Sequence, residues 1–562
     1  MAGPKAPKDP KAKGSSFYIC RQKEVAGNPV PGGKGIQYIY LDDVRLVTFA
    51  RMVGNVTDEE MLKQLKTAEG FLNMVAGIGV AVEAQERDDN IDFAFQMYGK
   101  TDPNHSGNTI TISCRPDGME QIIWLDDYEW SEDNNVPGQM RFEFCQPGRM
   151  AVVDVRLYLR EGYTAPEQEE CHPIDRNSSD YQRILERSLM SAGNYARLKK
   201  VIDKAKRGEE VTISFIGGSI TQGAGAIPIH LKSYAYQTWE RFKEAFGSRV
   251  KLIKAGVGGT PSELGMVRYD RDVLREGSVV PDLVVIEFAV NDEGDETKGL
   301  CYESLIRKAL STSEETAVVL LFAVFADDYN LEERLVPVGE RYELPMVSIR
   351  RAVVEQFYQK PGEGRVLSKS QFFYDSYHPA NIGHTIMADC LMYLFRRVEE
   401  SKEMEEVDWR SKEPLLGAAF TDIRLADKHS NTDKLKGLKQ GSFSEKDEEL
   451  QRVEMDDRLM PVPQFPYNWQ HVSGEEPFSF KICCKALVIV SKDSGEVESG
   501  RARVLVDGKE VLTLNPREIG WIHCNAQILF NEQESKEHEI VVSMLPEDVD
   551  KKLTILGFGY VE

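Results

Sequence analysis

Between residues 211 and 397 the chain switches period repeatedly. Short apolar runs without polar alternation (VTISFI, KLIKA, LVVIEF, AVVLLFAVF) are separated by stretches whose apolar residues recur at helical spacing. Strands covered on both faces read as continuous apolar runs, and repeated β–α units of this kind build a parallel sheet with helices on both faces. The spacing predicts strands at 211–216, 250–255, 282–288, 316–324 and 345–349. Helices are predicted near 231–246, 261–276, 298–311, 329–341, 350–359 and 380–397. The fold class is therefore α/β, with a doubly wound three-layer domain at 209–400.

A chain of 562 residues exceeds one hydrophobic core, and its two flanks have a different rhythm. In 16–170, Met140, Phe142 and Phe144 alternate with polar residues, as do Val153, Val155, Leu157 and Leu159, and Ile110, Ile112 and Cys114. Period two marks half-buried antiparallel strands and predicts a β-sandwich. A helix is expected near 57–70, with Thr57 as its N-cap and Glu60 three residues on. A polar helical connector follows at 171–208. After 400, strand patterns return at KALVIVS, RARVLVDGKEVLTL, HEIVVSML and LTILGFGYV, with Asp507-Gly508 as a hairpin turn. A second sandwich, jelly-roll-like as the first, is expected at 401–562.

Residues 1–15 are basic and Pro-rich, with no apolar stretch behind them, and read as a disordered arm. The longest apolar run, Ala317–Ala326, suits a buried strand and is too short to span a membrane. Nine scattered cysteines form neither a disulfide framework nor a zinc motif, which suggests reduced thiols and a cytoplasmic location. The charge of −22 disfavours nucleic acid and anionic membranes as partners and suits a neutral ligand. A homo-oligomer is compatible with the sequence.

The first predicted strand breaks into GGSITQGAGA. A phosphate loop would need Lys and Ser/Thr after its last glycine, where Ala224 and Gly225 stand; the dinucleotide fingerprint meets Pro228 in place of its third glycine. A tight turn with Ser219 or Thr221 as N-cap remains open, as does an exposed nucleophile. In an open parallel sheet, ligands sit beyond the carboxyl ends of the strands, so the other strand ends bear on the choice. The second strand ends in Gly256-Val257-Gly258-Gly259-Thr260, where a backbone N–H can approach an oxyanion without a Cβ in the way. The third ends near Asn291, whose side-chain NH₂ is a neutral donor.

A last strand-like run leads into FFYDSYHPANIGHT, where Pro379 biases His378 toward an extended conformation just outside the final helix. Asp375 can accept from one ring nitrogen of His378 while the other faces Ser219, as a serine hydrolase requires. His384, inside the helix, reads as a satisfied core histidine. The other seven histidines are assigned to linkers and flanking domains.

Together the four blocks resemble the SGNH (GDSL-like) hydrolase superfamily, over roughly 205–400. GGSIT stands at the family's serine block (Ser219), GVGGT at its glycine block (Gly259, with Gly258 beside it), VND at its asparagine block (Asn291), and D-x-x-H supplies Asp375 and His378. Gly218 replaces the aspartate that usually precedes the serine, as in the GGSIT-type branch that includes bacterial carbohydrate esterases. The α/β-hydrolase fold fits less well, since Thr221 stands where G-x-S-x-G needs its second glycine.

The resemblance implies a flavodoxin-like domain and two-step acyl transfer. Ser219 would be the nucleophile, His378 its base and Asp375 the orienter. Ser219 N–H, Gly259 N–H and Asn291 would form the oxyanion hole, with no metal or organic cofactor. The implied substrate is an acetylated oligosaccharide of xylan or mannan type, with Trp124, Trp130, Trp469 and Trp521 as candidate sugar platforms that also read as core. Alternatives are a lysophospholipase or thioesterase, and a non-catalytic carbohydrate-binding protein.

Overall fold

The computed structural model describes residues 14–29, 35–42, 45–102, 106–168, 172–360 and 362–562. Most of the basic arm and Cys171 lie outside them. The chain falls into two compact units: the described residues up to Ile174 with Ser368–Ser376, and Asp175–Leu367 with Tyr377–Glu562.

The first unit holds two antiparallel sheets, of four and five strands. The alternating residues face inward as their period demands: Met140, Phe142, Val155 and Leu157 are fully buried. The helix expected at 57–70 is two short ones, Glu59–Gln64 and Ala68–Met74. Asp58 caps the first by accepting from the N–H groups of Glu60 and Met61, and Thr67 caps the second. A carboxylate one residue along displaces Thr57 from the capping role. The run before Asp375 forms bends and a four-residue helix, Lys369–Phe372, in place of a strand. It is tied into this unit by Lys23, whose Nζ donates to the carbonyls of Ser370 and Phe373 at 3.0 Å each.

The second unit is built on five parallel strands: β1 (Val211–Gly217), β2 (Val250–Gly256), β3 (Leu283–Glu287), β4 (Ala317–Phe322) and β5 (Met346–Ser348). Their spatial order is β2-β1-β3-β4-β5, the flavodoxin-like arrangement, so the winding reverses next to β1. The connector supplies an extra edge: Leu189–Ser191 pairs antiparallel with β5. Gly217 lies level with Gly256 on one side and Glu287 on the other. The three turns that follow these strands therefore start from one common edge.

Helix Ser262–Asp272 is shorter than expected, ending before Arg275 and Glu276, both at positive φ. The C-terminal region forms one antiparallel sheet of eight strands around Phe478–Asp493 and the 22-residue His523–Met544. The strand at His523–Met544 starts well before its apolar HEIVVSM segment, and the polar, largely exposed stretch 531–537 separates that segment from the buried first part. The hairpin at Asp507-Gly508 is present, with both residues at positive φ as a type I′ turn requires. This sheet and the α/β layer share one hydrophobic cluster, in which Leu264, Val267 and Phe288 join Val488, Val490 and Leu556.

Candidate active site

At the end of β1 the chain passes through Gly218 into the four-residue helix Ser219–Gln222, closed by Gly223 in the left-handed region. His378 Nε2 lies 2.9 Å from Ser219 Oγ, within proton-transfer reach. The loop after Ser219 wraps tightly here. A Cβ on Gly225 would lie 2.2 Å from the Pro379 carbonyl oxygen and 3.1 Å from the His378 Cβ. Asn381, opening the last helix, holds the same loop by donating to the Ile227 carbonyl and accepting its N–H. His378 sits just before that helix, Asn381–Glu400, as the Pro379 argument expects.

Asn291 lies directly over Gly218. A Cβ at 218 would come within 2.0 Å of Asn291 Oδ1 and 2.6 Å of its Cγ, so no side chain fits between strand end and asparagine. Asn291 Oδ1 is buried without a hydrogen-bond partner among the described residues. The turn carrying it is anchored by Asp292, which accepts from the Ser262 N–H at 2.7 Å and the Ser262 hydroxyl at 2.9 Å. Burial pushes the Asp292 carboxyl up to about 8.

In the second glycine turn Gly258 and Gly259 differ in their hydrogen bonding. The Gly258 N–H donates to Gln222 Oε1 at 3.1 Å. Among the described residues, the Gly259 N–H has no acceptor. Gly259 has φ +73°, a left-handed conformation that favours glycine, and a Cβ there would strike the Trp521 ring at 2.8 Å. Ser219 opens a helix, so its own N–H is a first-turn donor without an intrahelical acceptor.

Behind the nucleophile, Thr221 Oγ1 donates to Glu287 Oε2 at 3.0 Å and meets the Tyr234 hydroxyl at 2.8 Å. Burial pushes the Glu287 carboxyl up to about 7. Arg268, fully buried, ties two strand ends together: its guanidinium donates to the Gly217 carbonyl at 2.9 Å and the Ala255 carbonyl at 2.7 Å. Asp272 is its counter-ion at 3.0 Å.

His384 is engaged on both nitrogens. Nδ1 accepts from the Tyr234 N–H, Nε2 lies 3.0 Å from the Ala224 carbonyl, and burial drives its pKa down to about 3. It is a neutral core histidine. His230 lies in the helix Ile229–Lys232 of the α/β layer, not in a linker. Asp375, in the first unit, is 2% exposed and lies 3.9 Å from Arg45. Of the candidate tryptophans, Trp469 is fully buried and Trp521 is 46% exposed beside the Gly259 turn.

The contacts that sequence reasoning misses come from the C-terminal sheet. Gln451 Nε2 donates to the Gly258 carbonyl at 2.8 Å, and His523 Nε2 lies 3.0 Å from the Gly259 carbonyl. Neither residue stands in a motif or at a periodic position, so no local signal marks them. Glu263, Asp295 and Cys301 bring ligand-type atoms within 4.8 Å of one another beneath the Asn291 turn. Asp295 is already occupied there by the N–H groups of Thr297 and Gly299.

Residues 215–386 match the family model of GDSL-like lipases/acylhydrolases. No curated protein sequence matches the chain at a significant level. Among solved structures, the chain is similar to a two-domain esterase (CEX) active on acetylated mannans, at 25% identity and TM-score 0.57, over 67% of this chain and 99% of that one. The same esterase co-crystallized with mannopentaose matches at 25% identity and TM-score 0.56, again over 67% and 99%. No helix among the described residues is long and apolar enough to cross a membrane. A serine within reach of a histidine at the edge of a flavodoxin-like sheet, inside the segment 215–386, makes this region a GDSL-like lipase/acylhydrolase domain and the chain a carboxylic ester hydrolase.

Proposed function

We propose that this chain is a serine esterase that removes acetyl groups from mannan-type oligosaccharides. The observation that carries the substrate class is the likeness, over nearly the whole of the other chain, to an esterase active on acetylated mannans. Trp521 supports it, since a half-exposed aromatic face beside the Gly259 turn suits the C–H-rich face of a pyranose.

In this reading His378 takes the Ser219 proton as Oγ attacks the ester carbonyl. The 2.9 Å contact supports that assignment. Asp375, three residues before His378 in the chain, orients the imidazole. The N–H groups of Ser219 and Gly259 and the Asn291 NH₂ receive the negative charge that develops on the carbonyl oxygen. His378 returns the proton to the leaving sugar hydroxyl, then activates a water that releases acetate from Ser219.

The test is mass spectrometry of acetylated manno- and xylo-oligosaccharides incubated with the protein, alongside p-nitrophenyl esters of rising chain length. The expected result is loss of acetyl groups from manno-oligosaccharides and a preference for acetate over octanoate. Preference for octanoate would overturn the reading in favour of a lipid acyl hydrolase. Removal from xylo-oligosaccharides alone would reassign the sugar, and binding without turnover would identify a carbohydrate-binding protein.

A further inference from the structure

Three consecutive peptide groups around Gly259 are each held by a side chain. The N–H of Gly258 is taken by Gln222, the carbonyl of Gly258 by Gln451, and the carbonyl of Gly259 by His523. The only backbone hydrogen-bonding group of Gly258 and Gly259 left without a partner among the described residues is the Gly259 N–H.

The two C-terminal contacts are themselves built. Gln451 is buried, and its Oε1 accepts from the Cys524 N–H at 2.9 Å. That bond fixes the amide orientation, so Nε2 must face Gly258. His523 lies opposite Asp493 in the register of the paired strands, and its Nδ1 is 3.1 Å from Asp493 Oδ2. Both side chains are at most 6% exposed. The Gly259 carbonyl oxygen can only accept, so Nε2 is the donor in that contact, and Asp493 at Nδ1 fixes the ring from its other side.

We propose that Gln451 and the His523–Asp493 pair are positioning residues that aim and strengthen the Gly259 N–H as an oxyanion donor. The C-terminal sheet is on this account part of the catalytic apparatus of the α/β layer. Two effects act together. Clamping the carbonyls on both sides of Gly259 fixes the plane of its N–H before substrate arrives, which removes reorganisation from the chemical step. The Gln451 bond to the Gly258 carbonyl also polarises that peptide group, and the N–H on its other side, that of Gly259, becomes the stronger donor. The proposal rests on the reading of Gly259 as an oxyanion donor.

The experiment uses the full chain with p-nitrophenyl acetate and a small alkyl boronic acid, whose serine adduct places an oxygen where the oxyanion forms. Gln451→Glu keeps the acceptor for Cys524 and loses the donor to Gly258; His523→Leu loses the donor to Gly259, and His523→Gln restores one. Gln451→Glu and His523→Leu are expected to lower kcat by about 10- to 10²-fold, less than complete loss of a donor. KM should stay within about 2-fold, and boronate binding should weaken in parallel with kcat. His523→Gln should recover most of both, at an unchanged melting temperature.

Unchanged kcat in folded Gln451→Glu and His523→Leu, or a loss confined to KM, would overturn the proposal. If Gln451→Glu fails to fold, the His523→Leu and His523→Gln pair decides alone. Ser219→Ala separates the levels: an inactive Ser219→Ala beside fully active clamp variants removes the clamp and spares the reading of the site, whereas an active Ser219→Ala removes both.

Discussion

The two glycine turns at the edge of the sheet draw on different neighbours. The turn at Gly218–Gly225 is packed largely from within the α/β layer, by Asn291 above Gly218, by Glu287 behind Thr221, and by Pro379 and His378 against Gly225. The turn at Val257–Thr260 takes one bond from within, Gln222 Oε1 on the Gly258 N–H, and is otherwise packed from outside, by Trp521, His523 and Gln451 of the C-terminal region. Those partners of the first turn lie inside the matched segment 215–386, whereas the C-terminal partners of the second lie beyond it. A motif thus records the half of a site that local chain geometry builds, and misses the half that a distant sheet supplies.

The largest expected effect separates the turn that carries Ser219 from the one that carries Gly259. Ser219→Ala should remove turnover by a factor of about 10⁶ with folding intact, judged from kcat and the melting curve. An enzyme with ordinary kcat would assign the chemistry elsewhere. Asp375→Asn should cost up to about 10⁴ in kcat, and a small loss would mean that another acceptor orients His378.

Next comes a paired test of the first turn. Asn291→Ala should lower kcat by about 10²–10³. Gly218→Ala should cost nearly as much, because its methyl occupies the place of Asn291 Oδ1. The double variant should then be no worse than either single one, since both act on one donor; additive losses would show that Gly218 serves another purpose. On the second turn, Gly259→Ala puts an alanine at φ +73°, a strain of roughly 1–2 kcal/mol, against the Trp521 ring. About 10- to 10²-fold lower kcat is expected. An unaffected kcat would remove Gly259 from the site.

The smallest effect concerns titration. Glu287 behind the first turn is neutral up to about 7, against an ordinary 4.5, because burial disfavours its charge. The folded chain then holds a proton that the unfolded chain has released. This contribution to stability is complete below about 4.5 and is lost as pH rises to about 7, on the order of 3 kcal/mol. Glu287→Gln should therefore flatten the fall in melting temperature between pH 5 and 8. Identical pH profiles for variant and parent would show that Glu287 ionises freely.

Much of this architecture can be read from residue pattern. The unbroken apolar runs give the parallel sheet, and the search for chemistry at strand ends leads to Ser219, Asn291 and His378. What escapes has physical reasons. Leu189–Ser191 joins the sheet edge with three residues, too few for a period to register. The middle of the strand at His523–Met544, residues 531–537, is polar and largely exposed, which breaks the apolar alternation between its two ends. Gln451 and His523 reach the site through tertiary packing, and nothing near them in the chain encodes that meeting.

Arg268 bears on how the enzyme fails under stress. One guanidinium grips the ends of β1 and β2, the strands that lead into the Ser219 and Gly259 turns, from a position sealed off from solvent. Neither strand end can drift while the other stays put. Heat or denaturant should accordingly extinguish turnover in a single step, together with the melting of the parallel sheet, with no half-slack, sluggish form on the way.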